Sequence, residues 1–242
     1  INMPETKRPK IGLALSGGGA RGAAHIGVLR ALEEKQIPID CIAGTSMGAT
    51  VGGMYASGYT VDEIETQFRE MDWSIGFKDR TPRENLTYRR KQDDASFLVD
   101  IDVGFQNNQL VLPRGVLFGQ SLNLQLKLLT AKSRGIHNLD QLPIPFRAVA
   151  ADLVTGEAVI IGQGDLADAL HASASIPGVY APVQRNGKLL VDGGVAQNLP
   201  IETVRAMCAD IVIAVDVSTP MRTENELGSL VDVIDQLSNL LT

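Results

Sequence analysis

Three short runs carry the residue types that do chemistry. Gly44-Thr45-Ser46-Met47-Gly48 sets a serine between two glycines, after the apolar Cys41-Ile42-Ala43 and before a helix-forming stretch over 49–57. At a strand-to-helix turn this spelling is a nucleophile elbow. The glycines let the serine backbone adopt a strained conformation, which exposes its hydroxyl and aims the next amide at it. An ordinary βα turn has the same spelling, so both readings stand on these five residues alone. Gly17-Gly18-Gly19-Ala20-Arg21-Gly22 follows the strand-like Ile11-Gly12-Leu13-Ala14-Leu15-Ser16 and opens a helix to about Lys35. Helix starts gather unpaired N–H donors and partial positive charge, so this loop suits an oxyanion or a phosphate equally. Asp192-Gly193-Gly194 follows a run over 183–191 whose Asn186-Gly187 is a two-residue hairpin signal. Asp192 is then either a turn former or a positioned carboxylate.

The elements around these runs decide how far each reading goes. A dinucleotide fold wants an acidic residue about 20 positions past the glycine loop, at the end of a second strand. Asp40 has roughly that spacing but precedes the strand at 41–43, and a Walker A loop would end in Lys-Ser or Lys-Thr where this chain has Arg21-Gly22. Nucleotide binding therefore stands behind acyl transfer, as the alternative α/β reading. Each run ends a separate apolar strand. A mainly parallel sheet would bring Ser46, the glycine loop and Asp192 together at its carboxyl edge, where α/β sites are built.

The same residues resemble the patatin-like phospholipases, which are marked by G-G-G-x-[RK]-G, G-x-S-x-G and a late D-G-[GA] in this order. The resemblance runs from about Lys10 to Val217. It includes Asp152-Leu153-Val154-Thr155-Gly156-Glu157 and Ser173-Ala174-Ser175-Ile176-Pro177-Gly178. Pro113-Arg114-Gly115-Val116-Leu117 and the run over 142–149 are similar to bacterial members secreted or displayed through a fused outer-membrane barrel. The resemblance implies an α/β three-layer sandwich, with a mainly parallel central sheet and helices on both faces. It implies a phospholipase A-type serine acyl hydrolase with Ser46 as nucleophile, Asp192 as base and Gly17, Gly18 and Gly19 as the oxyanion loop. No cofactor or metal is implied. The implied partners are a phospholipid, a transient membrane contact, a homodimer, and barrel and periplasmic domains in a longer chain, secreted or outer-membrane-associated, with a cytoplasmic setting as the alternative. A lipid-binding module that keeps the fold without turnover is the non-enzymatic alternative.

Histidine placement argues for a serine–aspartate pair. A familiar hydrolase orders its residues serine, acid, histidine. Here His25, His137 and His171 all precede Asp192, and His25 precedes Ser46 as well. Aspartate has an ordinary pKa of about 3.9, which a dry pocket beside a hydroxyl would raise. Arg21 is a secondary candidate: a cation in a first helical turn opposes the helix dipole and wants an anion, either a phosphate head group or an acidic side chain.

Composition fits one domain over 1–242 with its core at about 10–217, an expected excerpt of a longer chain. The 242 residues are 44% hydrophobic and 21% charged, with a net charge of -6, which argues against a nucleic-acid surface. Arg89-Arg90-Lys91 is either a solvated face or a head-group patch. Cys41 and Cys208 lack C-x-x-C spacing, so two separate buried thiols are expected. Further expectations are a capping box at Thr60 to Glu63 opening a helix to about Met71, and a polar surface excursion over 72–94. Hairpins are expected around 106–108 and 155–156. A leucine-rich helix over 119–130 contributes, with Leu110 onward, candidate acyl-chain lining. A helix over 201–209, a buried strand over 211–217 and a helical pattern over 227–241 complete the reading.

Overall fold

The computed structural model describes residues 8–76, 104–106, 109–111 and 117–218, with single positions at 223, 228 and 236. The stretches 77–103 and 112–116 lie outside the described residues, and so does nearly all of 227–241. With them go the arginine run at 89–91, most of the expected polar excursion, and the pattern toward the carboxyl end.

A mixed sheet forms the centre. Its strands are β1 (Ile11–Leu15), β2 (Cys41–Thr45), β5 (Phe146–Asp152), β6 (Ala158–Ile161), β7 (Val183–Arg185), β8 (Lys188–Asp192) and β9 (Ile211–Val215). A separate hairpin, β3 (Gly104–Gln106) and β4 (Gln109–Val111), flanks residues 107–108, so its first arm lies closer to the turn than expected. The sheet is mixed, with most of its strands in one direction. β9, β1, β2 and β5 run parallel; β6 and β8 pair antiparallel with β5, and β7 pairs antiparallel with β8. The reason is local. Short turns at 155–156 and 186–187 can join only antiparallel neighbours, whereas parallel strands need a crossover. Asn186 and Gly187 both take positive φ (49° and 78°), as a type I′ hairpin turn requires.

Register brings two strand ends together. β2 lies along the first part of one edge of β5, from Ile42 opposite Phe146 to Thr45 opposite Val149. β8 pairs with the rest, from Asp192 opposite Ala150 to Leu190 opposite Asp152. β6 pairs from Ala148 to Ala151 and so overlaps both in register. It must occupy the other edge, which leaves β2 and β8 on the same one. Their carboxyl ends therefore meet head-on between Val149 and Ala150.

Alternation along the strands supplies two apolar faces. Leu13, Leu15 and Ile42 face the larger core, shared with α1 (Ala24–Glu34), α2 (Met47–Ala56), α3 (Val61–Glu70), α4 (Gln120–Leu129) and α5 (Leu166–Ser173). Ala14, Cys41 and Ala43 face α6 (Ile201–Met207). That second layer approaches closely because the strands present small residues. A side chain at Gly12 would collide with Val204 of α6 and come within 2.7 Å of the Ala209 Cβ. The same closeness corrects the two-thiol expectation: Cys41 and Cys208, 6.3 Å apart at Cα, form a disulfide that ties β2 to the end of α6. The late strand β9 is not buried, with Ile211 49% exposed, because it is the sheet's edge and pairs with β1 alone among the described residues. Thr60 and Glu63 close the capping box that starts α3.

Candidate functional site

Ser46 is the single residue between β2 and α2, with φ 53° and ψ −120°. A β-region strand cannot turn into a helix in one step without such a conformation, which costs of order 1–3 kcal/mol and persists only where neighbours hold it. Three observations supply that hold. The glycines permit tight contact: a side chain at Gly44 would meet the Gly48 carbonyl at 2.5 Å, and one at Gly48 would collide with the carbonyls of Leu15 and Ser16. The Ser46 N–H donates to Ser173 Oγ at 2.8 Å, and that hydroxyl donates onward to the Val149 carbonyl at 2.5 Å. Thr45 Oγ1 donates to the Gln197 carbonyl at 2.9 Å.

Asp192 ends β8 with its backbone N–H on the Ser175 carbonyl at 2.8 Å and its Oδ1 accepting from the Gly194 N–H at 2.8 Å. The Ser46 side chain is within hydrogen-bonding reach of its carboxyl. Gly193 lets the chain leave the strand here, since a side chain would strike the Val149 carbonyl and come within 3.1 Å of Thr45 Cγ2. Asp192 is 8% exposed. Burial pushes its pKa from an ordinary 3.8 up to about 6, against the hydrogen bonds from Ser46 and the Gly194 amide, which favour the ionised form. A carboxylate so tuned can accept a proton near neutral pH.

The glycine loop closes the third side. Ser16 continues the β1–β9 pairing by donating to the Val215 carbonyl at 3.0 Å, and the chain then enters a 3₁₀ turn at Gly19–Ala23. The Gly17 N–H is already engaged: it donates to the Asn198 carbonyl at 3.3 Å and to Asn198 Oδ1 at 3.0 Å. The amides of Gly18 and Gly19 make no hydrogen bond among the described residues, which leaves these two as the loop's open donors. Gly19 takes φ 53°, and a side chain placed on it would meet nothing. Arg21 faces the same space, and its Nε donates to the Val217 carbonyl at 3.2 Å.

Ser46, Asp192 and residues 17–21 line one cavity of about 1010 Å³. Its walls are largely apolar, with Ile26, Leu126, Ile176, Val179 and Tyr180 among them. At its rim Arg30 of α1 and Arg69 of α3 share Glu65, at 2.7 and 2.6 Å. From the leucine-rich helix, Leu122 and Leu126 line the cavity. Leu124 and Leu128 point outward, 62% and 63% exposed. The side chain of Leu110 lies outside what is described.

None of the three histidines lines the cavity. His25 is buried behind the glycine loop with Nε2 on the Ser16 carbonyl at 2.9 Å, and burial pulls its pKa below the ordinary value. His171 contacts Asn123 at 3.4 Å beside a separate, smaller pocket, and His137 is exposed. No group of His, Cys, Asp or Glu among the described residues could hold a metal ion. Reading by motif missed Ser173 and Asn198. The first lies in the resembling stretch at 173–178, and the second follows Asp192 by six positions, just before Leu199-Pro200.

Known proteins extend the comparison. A family model described as patatin-like phospholipase matches residues 13–205. An NTE family protein of Mycobacterium tuberculosis is 36% identical over 218 residues, 90% of this chain and 52% of that protein. The lysophospholipase NTE1 of Saccharomyces cerevisiae is 31% identical, over 90% of this chain and 11% of that protein. The chain thus spans about half the length of the mycobacterial relative. VipD of Legionella pneumophila shares the fold, with a TM-score of 0.50 at 17% identity over 80% of this chain and 47% of that one. The fused barrel and the homodimer expected from the resemblance gain no support from these relatives. With the match covering residues 13–205 and the three motifs in order, the chain belongs to the patatin-like phospholipase family.

Proposed function

We propose that this protein is a serine acyl hydrolase of phospholipid or lysophospholipid esters. In this reading Asp192 is the base for Ser46, and the amides of Gly18 and Gly19 are oxyanion donors. The observation that carries it is the Ser46 side chain facing a buried carboxyl whose pKa is about 6, on the wall of a large apolar cavity. An apolar body with a charged rim suits an amphiphile whose acyl chain goes in and whose head group stays near Arg30, Glu65 and Arg69. The lysophospholipase name of the yeast relative points the same way.

Asp192 takes the proton from Ser46 Oγ as the oxygen attacks the ester carbonyl. The resulting oxyanion lies toward the Gly18 and Gly19 amides, a preorganised arrangement that stabilises charge only as it develops. Collapse breaks the ester bond, and Asp192 returns its proton to the departing alcohol. A water, deprotonated by Asp192, then attacks the acyl-serine; collapse expels Ser46 Oγ, which takes that proton back from Asp192, and the fatty acid leaves. Membrane contact is transient in this scheme; no helix among the described residues is long and apolar enough to cross a bilayer.

The test is lipid profiling by mass spectrometry after incubation with phosphatidylcholine and lysophosphatidylcholine. The wild-type protein should release fatty acid and Ser46→Ala should not, while a fluorophosphonate should label Ser46 alone. Vesicle binding by both proteins, with no fatty acid released by either, would replace the enzyme by a lipid-binding module.

A further inference from the structure

Asn198 has a side chain whose two ends do different things. The Gly17 N–H can donate only to an oxygen, so the Asn198 Oδ1 that accepts it at 3.0 Å fixes the amide's orientation. The backbone carbonyl of the same residue takes that N–H as well, at 3.3 Å. The Nδ2 amino group is then turned away from Gly17. It makes no hydrogen bond among the described residues and stays accessible, in a residue that is 8% exposed and lines the cavity. An accessible amide on the cavity wall, anchored by its oxygen, leaves two N–H donors available to an acceptor that enters the cavity. Its position is close to the chemistry: the point where a Gly17 side chain would begin is 2.7 Å from Asn198 Oδ1 and 3.2 Å from Ser46 Cβ. Gly17 thus lies close to both this amide and Ser46, and it is a glycine whose own N–H the amide has withdrawn from the site.

The geometry points to Asn198 as a catalytic residue that donates from Nδ2 to the carbonyl oxygen of the substrate as that oxygen gains charge. It completes a set of donors with Gly18 and Gly19 and replaces the Gly17 amide, which Asn198 itself occupies. The inference rests on the acyl-hydrolase reading above and deepens it.

Asn198→Asp keeps the shape and the acceptor for Gly17 but removes both Nδ2 donors. Removing one oxyanion donor lowers kcat by about a hundred- to a thousandfold. The variant and the wild type are compared on a chromogenic ester and on its thiono counterpart, whose sulfur accepts hydrogen bonds poorly. A donor role predicts that the variant loses kcat on the oxo ester with KM little changed, and that its oxo-to-thiono rate ratio falls in proportion. Equal losses on both substrates would reduce Asn198 to a structural prop of the loop, and kcat within threefold of wild type would overturn its role altogether. If the variant fails to fold, a crystal structure of wild-type protein phosphorylated at Ser46 decides. The phosphoryl oxygen should lie roughly 2.7–3.1 Å from Nδ2, and a separation beyond hydrogen-bonding range refutes the donor. Wild-type protein that neither turns over the ester nor takes the label at Ser46 would instead bring down the hydrolase reading, and this inference with it.

Discussion

Replacing Asp192 by asparagine should abolish turnover and at the same time stabilise the fold, by an amount that depends on pH. The folded protein holds a carboxyl that ionises at about 6, where the unfolded chain ionises at the ordinary 3.8. Below about pH 4 both states carry the proton, and ionisation of this group adds nothing to the balance. Between about pH 4 and 6 the unfolded chain gives up its proton first, so stability falls as pH rises, and above about 6 the full penalty is in place. A tenfold change in acidity is worth about 1.36 kcal/mol, so the penalty levels off at about 3 kcal/mol. Asparagine has the same shape, can still accept from the Gly194 amide, and cannot ionise. Its advantage over wild type should therefore grow from a baseline near pH 4 to about 3 kcal/mol at pH 7 and above. For a domain of this size that is about 6 to 12 °C in Tm. Thermal melts of both proteins at half-unit steps from pH 4 to 8 give the difference directly, since groups common to both cancel. A difference flat across that range, or a variant less stable than wild type at pH 8, would show that the carboxyl carries no burial penalty and would remove the basis for its tuning.

Other outcomes follow from the same geometry. Because the base works only when ionised, kcat/KM should rise with pH along a single limb centred near 6 and then level off; a limb centred near 4 would contradict the burial of Asp192. Ser173→Ala removes the acceptor of the Ser46 N–H and should lower stability by about 1–3 kcal/mol. It should also slow fluorophosphonate labelling of Ser46 at least tenfold; urea melts and a labelling time course check both, and an unchanged labelling rate refutes the support. His25, His137 and His171, each replaced by Gln, should keep turnover within roughly tenfold, as loss of a true general base costs about 10² to 10⁴. A loss of three decades in any one of them, with the fold intact by circular dichroism, would install that histidine as the base.

Much of this was readable from residue types, and the unreadable part has physical reasons. The type I′ turn at 186–187 and the capping box at 60–63 are decided by interactions within a few residues, and local spelling finds them; the elbow's spelling is local too, while distant partners at Ser173 and Gln197 hold it. The sheet's antiparallel pairs follow from short hairpins at 155–156 and 186–187, which spelling also reveals. The disulfide joins positions 167 apart in sequence. Its cause is the run of small residues Gly12, Ala14 and Ala43 that lets α6 descend on β2, a property of packing across a sheet. Ser173 and Asn198 were missed for a related reason: serine and asparagine are common in turns, and their roles appear only when strands distant in sequence set them beside Ser46 and Gly17. The Gly17 amide was expected among the donors because every amide in a glycine loop looks alike until a partner is seen.

The way Ser46 and Asp192 meet explains why so much of the surrounding sequence is constrained. In a parallel arrangement both would sit on loops, and loop flexibility would blur their separation. Here Ser46 directly follows the last residue of β2 and Asp192 ends β8, the two strands arrive from opposite directions along the same edge of β5, and the spacing is set by rungs of a hydrogen-bonded ladder. Strand side chains alternate faces, so a one-residue slip of β8 would turn the Asp192 carboxyl to the other side of the sheet. Two features resist that slip. The Asn186-Gly187 turn fixes β8 against β7 with no slack, and Gly193 fits beneath the Val149 carbonyl at the one place where the chain can leave the ladder. The same rung that holds β2 beside Val149 receives the Ser173 hydroxyl, which carries the strained serine. A single strand, β5, therefore positions Ser46, its Ser173 support and the Asp192 carboxyl together, and mutations that shift β5 should move all three at once.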